Sequence, residues 1–426
     1  MPVPQVFITS DPDTFKVKAL LWANTFKEVC YFDSNHHKDP YNVFEIFIAA
    51  GARKKLSLTA GTAFKQLEDF LNDNSNAGYI PGYFSYDLKN ELEDLHSNNP
   101  DNLNFPDLNF FIPENTILLK GSEVYIKSAD PQSIWKLINS YNLQPPPLTH
   151  QVNISSRFSR TEYEQTVTEI KGHIQRGDIY EINFCQEFYA EDVEIDPLHT
   201  FLRLNKISPT PFSSYLRFDK HYIISATPER FLSRRGQKLI SQPIKGTAAR
   251  SSDAQKDEDQ KEKLQADEKE LAENVMIVDL VRNDLTKSAK PGTVKVEELF
   301  GIYSFKQVHQ LISTVVCERQ TGLSNTQIIS NTFPMGSMTG APKISAMVLA
   351  ESYERSKRGV FSGAVGYFGP NGDFDFNVII RTLLYNKENK YLSFHTGGAI
   401  TIDSDPAKEY DECLLKAEAI MEVLKA

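Results

Sequence analysis

Apolar and polar positions change period several times along the chain. In Ile179-Tyr180-Glu181-Ile182-Asn183-Phe184 they alternate, with Tyr180, Ile182 and Phe184 on one face and Ile179, Glu181 and Asn183 on the other, the two-residue period of a strand. Short mixed segments at 43–50 and 79–86, set between Gly, Asn and Asp, predict further strands, as do 214–218, 222–226 and 374–385. The period lengthens to that of a helix over 163–176, which runs into Gly177-Asp178, and again over 257–285, 342–355 and 407–425. Strands and helices come in blocks rather than in steady alternation, which predicts an α+β fold with large, mostly antiparallel sheets. Gln144-Pro145-Pro146-Pro147-Leu148 can continue neither a helix nor a central strand, so a boundary is expected between an N-terminal region, 1–145, and a second region, 155–426. The charged run 251–268 has the composition of a solvated helix face or a mobile loop.

Composition narrows the function classes. Lys and Arg number 46 against 56 Asp and Glu, a formal net charge of −10 over 426 residues, which argues against a nucleic-acid or acidic-membrane binder. No stretch approaches about 18 consecutive apolar residues, and Met1-Pro2-Val3-Pro4-Gln5 lacks the basic-then-apolar pattern of a secretory signal. The expectation is a cytoplasmic enzyme. Cys30, Cys185, Cys317 and Cys413 form no CxxC pair, so neither a zinc ribbon nor a disulfide framework is suggested.

Two distant segments echo each other: Lys269-Glu270-Leu271-Ala272-Glu273 and Lys408-Glu409-Tyr410-Asp411-Glu412. Glutamates three apart on a helix are neighbours, about 60° apart around the axis. Apolar stripes accompany both: Leu264, Leu271, Val275 and Val278 in one, Tyr410, Leu414, Ala417, Met421 and Leu424 in the other. Such pairs are common on solvated faces. Beyond the first pair, however, Met276, Ile277 and Leu280 fill sides that a surface helix keeps polar, so that half of the helix looks enclosed, and unpaired carboxylates near enclosure are costly. Four converging glutamates, all oxygen donors, suit Mg²⁺.

Phe333-Pro334-Met335-Gly336-Ser337-Met338-Thr339-Gly340-Ala341-Pro342-Lys343 reads as a loop entering a helix, with Thr339 or Gly340 as its cap, a place for carboxylate or phosphate. It lacks the Gly-Lys-Ser/Thr ending of a phosphate-binding loop, which disfavours a nucleotide-dependent phosphotransferase. His395-Thr396-Gly397-Gly398-Ala399 reads as a second small-residue turn. Arg381, flanked by Ile379, Ile380, Leu383 and Leu384, can pair a buried carboxylate or clamp a ligand's. Together these features imply a small polyanionic substrate, dicarboxylate or phosphate.

Thr227-Pro228-Glu229-Arg230-Phe231, followed by Gln242-Pro243-Ile244-Lys245-Gly246-Thr247, resembles the chorismate-utilising enzymes. Further matches follow in that family's order. They are Gly177-Asp178-Ile179-Tyr180, residues 270–284, Val308-His309-Gln310-Leu311-Ile312-Ser313, residues 334–343, Gly363-Ala364-Val365-Gly366-Tyr367, residues 376–382, Gly397-Gly398 and residues 409–417. Residues 82–87 match more loosely. The resemblance implies an intertwined, layered sandwich of sheets and helices. Within the family, Pro-Ile-Lys-Gly-Thr resembles the component I subunits of aminodeoxychorismate synthases, whereas anthranilate synthases carry alanine at the place of Lys245. The implied chemistry is amination of chorismate at C4. Glu229 is the general acid for the C4 hydroxyl, and Lys245 is the amine that adds at C2 to form a covalent adduct. Mg²⁺ is implied on Glu273 and Glu412, with Glu270 and Glu409 nearby.

The resemblance also implies that Tyr367 and Arg381 hold the enolpyruvyl carboxylate, that Thr339, Gly340, Gly397 and Gly398 contact substrate, and that Thr247 and His309 line the ring site. Ammonia is implied to come from a separate glutamine amidotransferase subunit, component II, since no glutaminase-like segment fits in the chain. Two departures stand out. Ala399 replaces the family's usual third glycine, and Glu181 stands where amine-using members often carry glutamine and water-using members lysine, which leaves its role open. Val43-Phe44-Glu45-Ile46 departs from the Leu-Leu-Glu-Ser motif of tryptophan-regulated relatives, so feedback inhibition by tryptophan is not expected. Anthranilate synthase component I and a non-catalytic chorismate-binding protein remain the alternatives.

Overall fold

A computed structural model describes residues 3–143 and 151–425. The proline run and the boundary expected there lie outside the described residues. Among the described residues, twenty strands join in one hydrogen-bonded network and eleven α-helices pack on it. Every pairing between these strands is antiparallel. The chain has the expected α+β fold, helices packed on large antiparallel sheets.

The network leaves the long strand Leu108–Lys120 in two directions. One run passes through Ile46–Leu58, Glu28–Asp33, Phe212–Phe218, His221–Thr227, Thr382–Asn386, Tyr391–Ile400 and Glu181–Ala190. The other passes through Ile80–Phe84, Ala364–Phe368, Phe374–Val378, Arg230–Arg235, Lys238–Gln242 and Val308–Glu318, against which Ile244–Ala249 pairs. Strands from the first third of the chain therefore sit between Phe212–Phe218, from its middle, and Ala364–Phe368, from its last third. Successive residues feed different cores, as the two-residue period requires. Phe47, Ile223 and Leu384 meet Phe84, Phe110 and Phe376 between the two runs. Ile48, Ile224 and Leu383 face helices that contribute Phe15, Tyr163, Val167, Ala417 and Ile420.

Two predicted segments are interrupted, and both breaks matter. Residues 374–385 form not one strand but two, Phe374–Val378 and Thr382–Asn386, which belong to different runs. The chain crosses between layers at 379–381, where Arg381 adopts φ +51°. The predicted helix 257–285 is also two, Ala254–Ala266 and Glu268–Thr286, because the Asp267 carboxylate accepts the Lys269 and Glu270 backbone N–H groups and starts a new helix. The helix Arg160–Arg176 has a capping box, Ser159 with Glu162, and ends at Gly177 in the left-handed region, φ +85°. No helix among the described residues is long and apolar enough to cross a membrane.

Candidate active site

A cavity of about 690 Å³ opens where the chain changes layer, a size suited to a small molecule. Glu229 occupies one crossing, between His221–Thr227 and Arg230–Arg235, and Arg381 the other. The two crossings are stitched together: Val378 N–H donates to Glu229 O at 3.0 Å, and Ala226 N–H to Arg381 O at 3.1 Å. Glu229 is buried, and that burial pushes its carboxyl up to about 7, opposed by the Ser337 hydroxyl, the Lys245 charge and the Ile244 backbone. The Arg381 guanidinium lines the cavity and has no side-chain hydrogen bond or ion pair among the described residues. Burial lowers its pKa, while the Glu412 charge opposes that shift. Of the two roles open to Arg381, the ligand clamp is the one the surroundings leave available.

Lys245 sits at an irregularity in the pairing of Ile244–Ala249 with Val308–Glu318, where the register shifts between Ile244 and Thr247. Its Nζ donates to Glu181 Oε1 at 2.7 Å, both groups being buried. Burial alone would depress the ammonium pKa; the charges of Glu181 and Glu273 outweigh it, and the net shift is upward. The next residue, Gly246, has φ +94°, and a Cβ there would lie 2.9 Å from Leu311 Cδ1 and 3.2 Å from Glu270 Oε2. Glycine thus permits both the bulge and the close approach of the glutamate helix. Asn274 fixes that approach, donating to Lys245 O at 3.3 Å and accepting from Ser313 Oγ at 2.6 Å.

The cavity floor is clipped together by a buried ion pair. Arg358 donates to both Glu354 oxygens, to Met338 O at 2.7 Å and to Asn183 O at 2.7 Å, while Glu354 Oε1 accepts Cys185 N–H at 3.0 Å. These contacts join Glu181–Ala190 to the segment holding Ser337 and Met338. On the same floor His395 stacks on Phe361, ring centroids 4.8 Å apart. Burial pushes the imidazole down to about 3, which keeps it neutral.

The opposite end is acidic. Glu270, Glu273, Glu409 and Glu412 all line it, carried on the first two turns of Glu268–Thr286 and Pro406–Lys425. Asp405, like Asp267, accepts N–H groups of its helix's first turn, from Ala407 at 3.0 Å and Lys408 at 3.1 Å. Both positive helix ends therefore support carboxylates. The predicted apolar stripes hold only in part: Leu264, Val278, Ala417 and Leu424 are buried. Val275 and Leu414 are exposed, whereas Glu273 and Glu409 share the buried faces with Ile277, Val278, Cys413 and Ala417. The enclosure expected around Ile277 is present.

Burial and the neighbouring Glu273 and Glu412 push Glu270 up to about 7, and burial raises Glu273, whereas Lys416 lowers Glu412. Glu273 Oε1 is buried without a hydrogen-bond partner. A hard divalent ion fits this donor set and would relieve it. Among the described residues no three such side chains are already gathered around one point; instead the Lys269 ammonium lies 3.6 Å from Glu273 and 3.5 Å from Glu409.

Other predicted residues fall in several places. Thr247 and Gly397 line the cavity. Gly398 backs the acidic end, where an added Cβ would be 3.1 Å from Glu409 Oε2. Gly397-Gly398 lies not in a turn but in the strand Tyr391–Ile400, paired with Cys185 and Phe184. Thr339 and Gly340 do not cap a helix or line the cavity: Thr339 Oγ1 bonds Met335 O and Gly336 O, and Gly340 pairs with Ile182. The helix begins at Lys343. A Cβ at Gly340, φ +153°, would meet Glu181 O at 2.2 Å, so this glycine serves the backbone that carries Glu181. His309 turns from the cavity to Ser304 Oγ, 2.8 Å, and Asp257 Oδ1, 3.1 Å. Tyr367 packs in an aromatic cluster with Phe44, Phe47 and Tyr79. Phe361, six residues earlier, lines the cavity instead.

The chorismate binding enzyme family matches residues 18–422. The chain belongs to that family. As a chorismate binding enzyme it is 34% identical over 352 residues to aminodeoxychorismate synthase component 1 of Klebsiella aerogenes, covering 81% of this chain and 77% of that protein. It is also 34% identical over 345 residues to anthranilate synthase component 1 of Saccharolobus solfataricus, covering 80% of each. In fold it matches the crystal structure of anthranilate synthase component I from Streptococcus pneumoniae, with a TM-score of 0.78 at 24% identity, covering 91% of this chain and 95% of that one.

Proposed function

We propose that this chorismate binding enzyme is component I of an aminodeoxychorismate synthase, aminating chorismate at C4 for the 4-aminobenzoate branch of folate synthesis in the cytoplasm. The observation that carries this reading is a buried lysine, Lys245, inside the same cavity as a carboxyl that burial pushes up to about 7, Glu229, and an unpartnered guanidinium, Arg381. In this reading Arg381 orients a substrate carboxylate. Glu229 gives its proton to the C4 hydroxyl, which leaves as water. Lys245 Nζ bonds to C2 as that C–O bond breaks, and Glu181 Oε1, 2.7 Å away, is the nearest acceptor for the proton the amine sheds. Ammonia then bonds to C4 while the C2–N bond breaks; Glu181 returns its proton to the departing Lys245 amine, and the new C4 ammonium gives one proton back to Glu229. Mg²⁺ held by Glu270, Glu273, Glu409 and Glu412 would neutralise the ring carboxylate and draw electrons from the ring. A separate glutamine amidotransferase, component II, supplies the ammonia in this reading.

Similarity to proteins named anthranilate synthase favours one rival, amination at C2. Incubation with chorismate, Mg²⁺ and ammonium chloride, with products separated by chromatography and mass, decides between them. Aminodeoxychorismate is expected; anthranilate as the main product would end the proposal. In Lys245→Ala, residual activity should move towards C2 amination, and undiminished aminodeoxychorismate formation by that variant would refute the covalent role. Calorimetric chorismate binding without turnover, even with an amidotransferase present, would mark a non-catalytic protein.

A further inference from the structure

Besides the Lys245 charge, which acts on Glu273 and Glu412 from the cavity, the four glutamates at the acidic end are served by two ammonium groups of their own helices, and the two differ. Lys416 is committed: its Nζ donates to Gly397 O at 2.8 Å and lies 2.7 Å from Glu412 Oε1, one turn back on its own helix. Lys269 reaches across instead. Its Nζ stands 3.6 Å from Glu273 Oε1 and 3.5 Å from Glu409 Oε1, carboxylates on two different helices. Both distances exceed that of a good charge-assisted hydrogen bond. The Lys269 side chain is 41% exposed, whereas Glu273 and Glu409 are 9% and 3% exposed. Glu273 Oε1 still lacks a hydrogen-bond partner. A half-exposed cation thus rests loosely on two buried anions, with one long hydrogen bond to Glu409 and none to Glu273.

We propose that Lys269 is an internal counter-ion which competes with a divalent cation for Glu273 and Glu409, and so sets the cation concentration at which the site fills. This inference rests on the reading that these glutamates hold Mg²⁺. Ammonium and metal need the same oxygens. A divalent ion about 2.1 Å from a carboxylate oxygen cannot share Glu273 and Glu409 with an ammonium already between them, because like charges at that range repel strongly. The lysine stem is long enough to carry its head out to the cavity mouth. Without the ion, the same ammonium limits repulsion between the two helices' carboxylates.

The test is Mn²⁺ titration of the full chain at low ionic strength, followed by electron paramagnetic resonance or calorimetry. Lys269→Met should bind Mn²⁺ about tenfold more tightly than wild type, and Lys269→Arg, which keeps the charge, should stay near wild type. In EDTA, Lys269→Met should melt below wild type, and Mn²⁺ should raise its Tm by more. Unchanged or weaker Mn²⁺ binding in Lys269→Met would overturn the proposal. Mn²⁺ binding left undiminished by Glu273→Gln would overturn the metal reading itself, and this proposal with it.

Discussion

At one end of the cavity the reacting groups, Lys245 and Glu229, ride on a strand and an inter-strand crossing and are each settled by their surroundings; at the other, the carboxylates ride on the first turns of two helices and are not. Lys245 has Glu181 at 2.7 Å, and Glu229 is stabilised as a neutral acid by its burial. Across the cavity four carboxylates face the ammonium groups of Lys269 and Lys416, and one buried oxygen of Glu273 accepts no hydrogen bond. The difference separates two jobs. Sheet register holds reacting groups to fixed positions, while an under-neutralised pair of helix ends leaves electrostatic room for a cation. Within the acidic end the two helices are mirror images in depth: the second glutamate of one, Glu273, and the first of the other, Glu409, are the buried members.

The largest effect should come from the strand-borne end. Glu229→Gln keeps shape and removes the proton donor, so turnover should fall by about 10²–10⁴, with KM for chorismate little changed. The pH profile sharpens this. An acid with a carboxyl at about 7 is in its working, protonated form below that pH. The wild-type rate should therefore fall by up to about tenfold per unit above pH 7, and the limb should flatten in Glu229→Gln. A full-speed variant, or an unchanged limb, would remove Glu229 from the chemistry.

An intermediate effect should divide the acidic end. Glu273→Gln removes the charge behind a buried oxygen that accepts no hydrogen bond and has only a loose ion pair with Lys269 at 3.6 Å, whereas Glu412→Gln removes one that Lys416 already holds at 2.7 Å. Mn²⁺ affinity should drop by at least about tenfold in the first and by less in the second. Equal losses would erase the distinction between the two glutamates. The smallest effect belongs to the seam between the ends. Gly246→Ala adds a methyl at φ +94° against Leu311 and Glu270 and should cost roughly 1–2 kcal/mol, seen as a lowered Tm. An unaltered melting curve would mean the bulge is not held as described.

Much of the site was legible in residue order. The Glu-x-x-Glu echo, Lys245, Glu229 and the alternation about Glu181 all converge on the cavity, because short-range period and residue chemistry are written locally. The misses share a cause: they depend on which side of a strand meets which layer. His309 neighbours two cavity-lining residues, Val308 and Gln310, yet turns to Asp257, as alternation along a strand would have warned. Gly340 pairs with Ile182 in a strand rather than capping the helix, which begins at Lys343. Tyr367 joins an aromatic cluster while Phe361 reaches the cavity, a choice set by the pairing of Ala364–Phe368 with Ile80–Phe84, which no local pattern reveals. The break at Asp267 was readable from an Asp followed three residues later by a Glu, but the charged run around it masked that signal. The layer change at Arg381 came inside what looked like one uniform strand.

The interleaving of early and late strands has a consequence for synthesis of the protein. Ile80–Phe84 finds a neighbour in Ala364–Phe368 only when some 280 intervening residues have been made, and such long-range pairings close slowly. As it leaves the ribosome, the early segment holds unpaired, phenylalanine-rich strand edges that invite aggregation. This is a protein whose first strands wait for its last, and chaperone cover during translation should matter more for its yield than the stability of the finished fold.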